Sequence, residues 1–131
     1  MKTLYLFFLI TSITLFTISC KKGPGIGGEA SISGKVSGVL YNKTFNKRLD
    51  SGMVGNWTVN IIFGEDTSID GSQKTSYDGS FEFQYVRTGH YTIFAYSRSR
   101  KTNLPDSAII LAADITGKKQ SLELPMIKIL H

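Results

Sequence analysis

The 131-residue chain has one cysteine, Cys20, and two histidines, His90 and His131. A lone cysteine excludes any intramolecular disulfide. Two histidines, one beside a turn and one at the last position, are too few for a convincing zinc site. There is no H-E-x-x-H, no G-x-S-x-G and no phosphate-cradling glycine loop that opens a helix. Glu82 stands at an outward strand position, where a solvated charge is the default. These absences argue against an enzyme. No helical period occurs beyond the first twenty residues, which leaves strands and turns to build whatever folds.

The most informative stretch is Thr75 to Tyr96. Asp78-Gly79 is a tight-turn pair, because glycine, and to a lesser degree aspartate, tolerates positive φ. Phe81, Phe83 and Tyr85 alternate with Ser80, Glu82 and Gln84, the period of a strand with one buried face. Thr88-Gly89 breaks the run, and Tyr91, Ile93 and Ala95 begin a second alternation. The pattern predicts three strands in a meander. Elsewhere, Ile32, Gly34 and Val36 alternate with polar residues, and Trp57, Val59, Ile61 and Phe63 form another inward face. The run 108–113 is continuously apolar, as in a strand buried on both sides. Pro125 separates Leu122 and Leu124 from Ile127 and Ile129, which marks an edge strand or a bulge. The polar segment 39–55 reads as a long loop. The sum is an all-β chain, a single seven-stranded antiparallel β-sandwich.

The turn Asp78-Gly79 with Phe81 and Phe83, followed by Gly89, Tyr91, Ile93 and Ala95, resembles the carboxypeptidase regulatory-like, or transthyretin-like, β-sandwich. Ile32-Ser-Gly-Lys-Val36 is similar to that family's opening strand. The resemblance covers roughly residues 31–96 and implies an accessory or binding module rather than a catalyst.

The amino terminus has its own signature. Lys2 precedes an apolar run from Thr3 to Ser19 that ends at Cys20, the layout of an export signal. Cys20 resembles the lipobox cysteine of bacterial lipoproteins, which carries acyl chains after cleavage; Thr17 stands where leucine is usual. A retained transmembrane anchor is the other reading, but the run barely reaches the ~20 residues of a span. Residues 1–19 are therefore a signal peptide, 20–29 a lipidated cysteine with a Gly-rich tether, and 30–131 the sandwich domain. A tether of that composition spans on the order of 16 Å. The residue after the cysteine is not aspartate, which in such lipoproteins implies the outer membrane. With no acidic run to signal surface display, the periplasmic face is expected.

Three candidate sites follow. Asp66, Ser68 and Asp70, with Gly71, follow the opening of a calcium loop, but the closing glutamate is missing; an ordinary Asp/Gly turn is the simpler reading. In the strand after Gly89 the inward set Tyr91, Ile93 and Ala95 forces Phe94 and Tyr96 outward. Those two rings need a cover, either Tyr41 and Phe45 from the 39–55 loop or a partner protein or glycan. Finally, Lys43, Lys47 and Arg48, then Arg98, Arg100 and Lys101, then Lys118 and Lys119 form basic clusters, which read as solvated surface or as a polyanion site. The export signal argues against nucleic acid as that polyanion. The chain is expected to be a non-catalytic binding or assembly module, anchored through acyl chains on Cys20. A calcium-dependent or carbohydrate-binding accessory module of a larger envelope system is the alternative.

Overall fold

The computed structural model describes residues 22–131; Cys20 and the expected export signal lie outside the described residues. Nine strands form in chain order: β1 Ile26–Tyr41, β2 Arg48–Met53, β3 Thr58–Phe63, β4 Gly71–Lys74, β5 Ser80–Val86, β6 Gly89–Ser97, β7 Ser107–Ile115, β8 Ser121–Glu123 and β9 Ile127–Leu130. They make two sheets, a β-sandwich with no helix among the described residues. One sheet is built on β1, which pairs with β2, β5, β8 and β9; the other runs β4-β3-β6-β7.

β1 is long enough to take two partners along each edge. One edge carries β5 and then β2, since the Val36 N–H bonds to Gly79 O just before β5 and Val36 O accepts from Val54 just after β2. The other edge carries β8 opposite Ser31–Ser33 and β9 opposite Val36–Val39, both parallel to β1. Pro125 falls in the gap between β8 and β9, where a missing N–H costs no ladder bond. The inward row of β1 is Ala30, Ile32, Gly34, Val36 and Gly38, all buried. At Gly34 the Phe81 ring lies so close that an added Cβ would come within 2.7 Å of it, so the ring fills the space glycine leaves.

Across the sandwich, the inner face of the second sheet presents Val59, Ile61, Tyr91, Ile93, Ala95, Ala113 and Ile115, which close one core with the β1 row, Phe81, Phe83, Val86, Ile127 and Ile129. Each large side chain fully buried there contributes about 1.5–3 kcal/mol.

Five features depart from the sequence reading. There are nine strands rather than seven, and two pairings are parallel. The 39–55 segment is not a loop: it continues β1 to Tyr41 and folds back as β2. Thr75 to Tyr96 is not a meander, because β5 joins the β1 sheet while β6 lies in the opposite one. The Asp78-Gly79 turn is nonetheless real: Gly79 has φ of 78°, Ser76 N–H bonds Ser80 O, and Asp78 Oδ1 accepts from the Ser80 hydroxyl at 2.6 Å. That bond, reinforced by the Ser80 backbone N–H, holds the Asp78 carboxyl below the ordinary carboxylate range. Tyr85 does not continue the inward row; a β-bulge gives it φ of 58° and leaves it exposed, and Val86 takes the inward place. Lastly, β7 is an edge strand with Ile110 exposed, not a strand covered on both faces.

The expected tether is also drawn into the fold. Gly25 donates its N–H to the Tyr91 hydroxyl at 2.9 Å, and that hydroxyl donates to Arg87 O at 2.6 Å. The Arg87 guanidinium holds Gly23 O at 2.8 Å and Ile26 O at 2.6 Å, and Arg87 N–H bonds Gly25 O. Pro24 packs over Gly64 and Gly89. Because Tyr91 is fully buried, its hydroxyl needs these partners. Replacing Tyr91 by Phe strands the Gly25 N–H and should cost about 1–3 kcal/mol. Chemical denaturation reads the loss. Hydrogen exchange at Gly25 and Arg87 should accelerate ahead of exchange at the β6 amides.

Candidate functional site

The outward face of the second sheet is set by register. Thr92, Phe94 and Tyr96 of β6 lie opposite Ala112, Ile110 and Ala108 of β7, and Phe94 lies opposite Asn60 of β3. Phe94 and Tyr96 therefore both face outward, as strand geometry requires. Their rings meet edge-on at 5.5 Å. Phe94 is only 7% exposed, whereas Tyr96 is 43% and Ile110 63% exposed. Asn60, buried beside Phe94, is satisfied by the Ser72 hydroxyl at 2.7 Å. A shallow depression of about 390 Å³ beside this face is lined by Asn56, Trp57, Thr58, Asn60, Ile69 and Tyr96. The Trp57 indole N–H bonds Tyr96 O at 3.0 Å, which fixes the wall of the depression.

Tyr41 and Phe45 do not cover that face. They pack on each other at 5.6 Å at the β1–β2 hairpin, and two arginines lie over them: Arg98 4.1 Å from the Phe45 ring centre and Arg100 5.4 Å from that of Tyr41. Phe45 is held at φ of 55°, a region bulky residues avoid. The four aromatic candidates thus divide between two places, the sheet face and the hairpin end. The sequence did not reveal this division, because the partners of Tyr41 and Phe45 come from a loop more than fifty positions later.

Burial also separates Phe94 from Tyr96. Phe94→Ser empties a nearly closed position and should cost about 3–5 kcal/mol, while Tyr96→Ser should cost well under ~1.5 kcal/mol. Parallel thermal melts of the two variants test this, and equal losses would show that Tyr96 belongs to the packed interior.

In the calcium-like stretch, Asp66 and Asp70 converge. Asp70 Oδ2 accepts the Phe63 N–H at 2.7 Å, and Asp66 N–H bonds Phe63 O at 3.1 Å, so the loop is closed by its own backbone. Among the described residues no group of three or more His, Cys, Asp or Glu is arranged to hold a metal ion. Two carboxylates and Ser68 fall short of the 6–8 oxygens calcium takes. A hydrogen bond to Asp70, helped by charge repulsion from it, raises the Asp66 carboxyl above its ordinary value. For an acid raised in the folded state, the fold holds the proton more tightly, so stability falls as pH rises through the folded value. Asp66→Asn should therefore raise the melting temperature at neutral pH. The gain should vanish once the pH falls below the ordinary aspartate range. Millimolar calcium should leave the wild-type melting temperature unchanged; a rise that Asp66→Asn abolishes would restore the metal reading.

His90 Nδ1 and Asp114 Oδ1 stand 2.6 Å apart across β6 and β7. Their side chains are 44% and 70% exposed, so the pair sits on the open sheet face.

No family model matches the chain, and no curated protein matches it. Among solved structures, a crystal structure from Pseudomonas aeruginosa described as a candidate carbohydrate binding protein is similar, with 14% identity over 82% of this chain and 91% of that chain and a TM-score of 0.44. A likeness so distant assigns no function.

Proposed function

We propose that the chain is a lipid-anchored, non-catalytic binding or assembly module of the bacterial envelope, with a transthyretin-like sandwich as its scaffold and the periplasmic face of the outer membrane as its site. The observation that carries this reading is the closure of residues 23–29 onto the base of the sandwich. Gly23 O is gripped by Arg87, and only three residue steps separate Gly23 from Cys20. That length reaches at most about 11 Å. Acyl chains on Cys20 would therefore hold the base of the domain close to the bilayer, with far less freedom than a loose tether gives. Two or more chains make such an anchor stable, where one does not. Lys21 and Lys22 fall at headgroup level, where each adds about 1 kcal/mol on an anionic surface. The half-open aromatic face around Tyr96 and Ile110 is the surface on offer to a partner protein or glycan, because exposed aromatics supply most binding hot spots.

Mass spectrometry of the mature protein tests the anchor. The expected product begins at Cys20 and carries acyl chains, and Cys20→Ser should release the protein from the membrane fraction. An unmodified Cys20, or a chain still starting at Met1, would overturn it.

A further inference from the structure

Two basic clusters that are distant in sequence meet at one end of the molecule. The β1–β2 hairpin brings Lys43, Lys47 and Arg48, and the β6–β7 loop brings Arg98, Arg100 and Lys101. Arg98 is the staple between them. Its guanidinium donates to Tyr41 O at 3.1 Å, Asn42 O at 2.7 Å and Asn103 Oδ1 at 2.6 Å, and it covers the Phe45 ring. Asn103 in turn donates to Lys43 O at 2.5 Å. The two loops are thus one body, and Arg98 is spent in holding it.

Five cations remain outward: Lys43, Lys47, Arg48, Arg100 and Lys101 are all exposed. The side-chain carboxylates at this end are Asp50, which takes the Ser51 N–H, and Asp106, which takes the Thr102 hydroxyl. Among the described residues neither pairs with a cation within 4.0 Å, and none of the five cations has an acidic partner. The end holds six basic against two acidic residues, while the other described residues hold seven against eight. All of the net positive charge of the described chain is therefore concentrated here. Such a concentration creates a local potential that draws in anions. β1 runs from the base to this end; Ile26 and Ala30 both pair with Val86, so the part that spans the domain is Ala30–Tyr41, roughly 36 Å at ~3.3 Å per residue.

We propose that this end is a docking surface for an acidic polysaccharide whose carboxylates repeat along the chain. The cations are spread over two loops instead of converging on one point, which suits a repeating polyanion better than a single small anion. Arg48 and Arg100 can each fork onto a carboxylate, and the lysines act as point charges that tolerate variation in the polymer. The choice of a glycan over a nucleic acid rests on the envelope location proposed above; capture of a polyanion does not.

The full-length chain in detergent is titrated with alginate as the polyuronate, with neutral dextran of matched length, and with a single-stranded oligonucleotide. Alginate should bind, dextran should not, and affinity for alginate should fall as salt rises, because binding releases counterions. The variant Lys47→Gln/Arg48→Gln/Arg100→Gln/Lys101→Gln should weaken alginate binding roughly tenfold or more at an unchanged melting temperature. Lys118→Gln/Lys119→Gln, at the base, should change it little. The milder pair Lys43→Gln/Lys47→Gln, whose ammonium groups hold neither loop in place, decides the matter if the larger variant unfolds. Absence of alginate binding, or an equal loss in the base variant, would overturn the proposal. So would tighter binding of the oligonucleotide at equal charge. An unmodified Cys20 would cancel the anchor without altering the outcome in detergent, and failure with alginate would leave the anchor standing.

Discussion

β1 is the strand on which everything else depends. Four strands bond to it, two along each edge, so the first sheet exists only as partners of this one segment. Its inward row then supplies one wall of the core, with glycine at 34 where the Phe81 ring needs the space. The same strand also fixes the long dimension of the domain. One terminus is pinned by Arg87 and the buried Tyr91 hydroxyl; the other carries the hairpin on which the basic end is built. A single strand thus links the Arg87 end of the domain to the hairpin end, with irregular pairing near each of its termini.

The two ends are stabilised by the same physical device, a cationic fork satisfied by backbone carbonyls. Arg87 gathers Gly23 O and Ile26 O at the base, and Arg98 gathers Tyr41 O and Asn42 O at the opposite end. Charge-assisted bonds of this kind are stronger than neutral ones and geometrically specific. In both places the arginine fixes a segment that lies outside the core. The difference lies in what surrounds each fork. At the base Lys119 lies near Glu29 at 3.8 Å. At the far end the other cations have no acidic partner among the described residues.

The sheet face and the basic end also divide the functional candidates by chemistry. Phe94, Tyr96 and Ile110 form an apolar surface that is half closed, because Phe94 has sunk among its cross-strand neighbours. Lys43, Lys47, Arg48, Arg100 and Lys101 form an exposed surface of charge.

Much of the fold was legible in the residues themselves. Period-2 alternation located β1, β3, β5 and β6 and the outward course of Phe94 and Tyr96, because side-chain direction in a strand is a local consequence of backbone geometry. The Asp78-Gly79 turn was legible for the same reason, since positive φ is a property of the residue. What sequence could not settle was anything decided by a distant partner. Whether β5 and β6 share a sheet depends on which strands each meets, not on the turn between them. The bulge at Tyr85 depends on how β5 must shift to stay paired with β1. The apolar run of β7 looked doubly buried, but its exposure alternates, because nothing among the described residues covers the outward face that Ala108, Ile110 and Ala112 share. Residues 23–29 looked unable to pack because their own side chains are small, yet Arg87 and Tyr91 bind their backbone. The joining of two basic clusters into one surface is the same kind of fact: charge is written in the sequence, but its concentration is set by Arg98 reaching across to the hairpin carbonyls. Local conformational preference was determined residue by residue, while pairing, burial and electrostatic focus arose only when non-local contacts had closed.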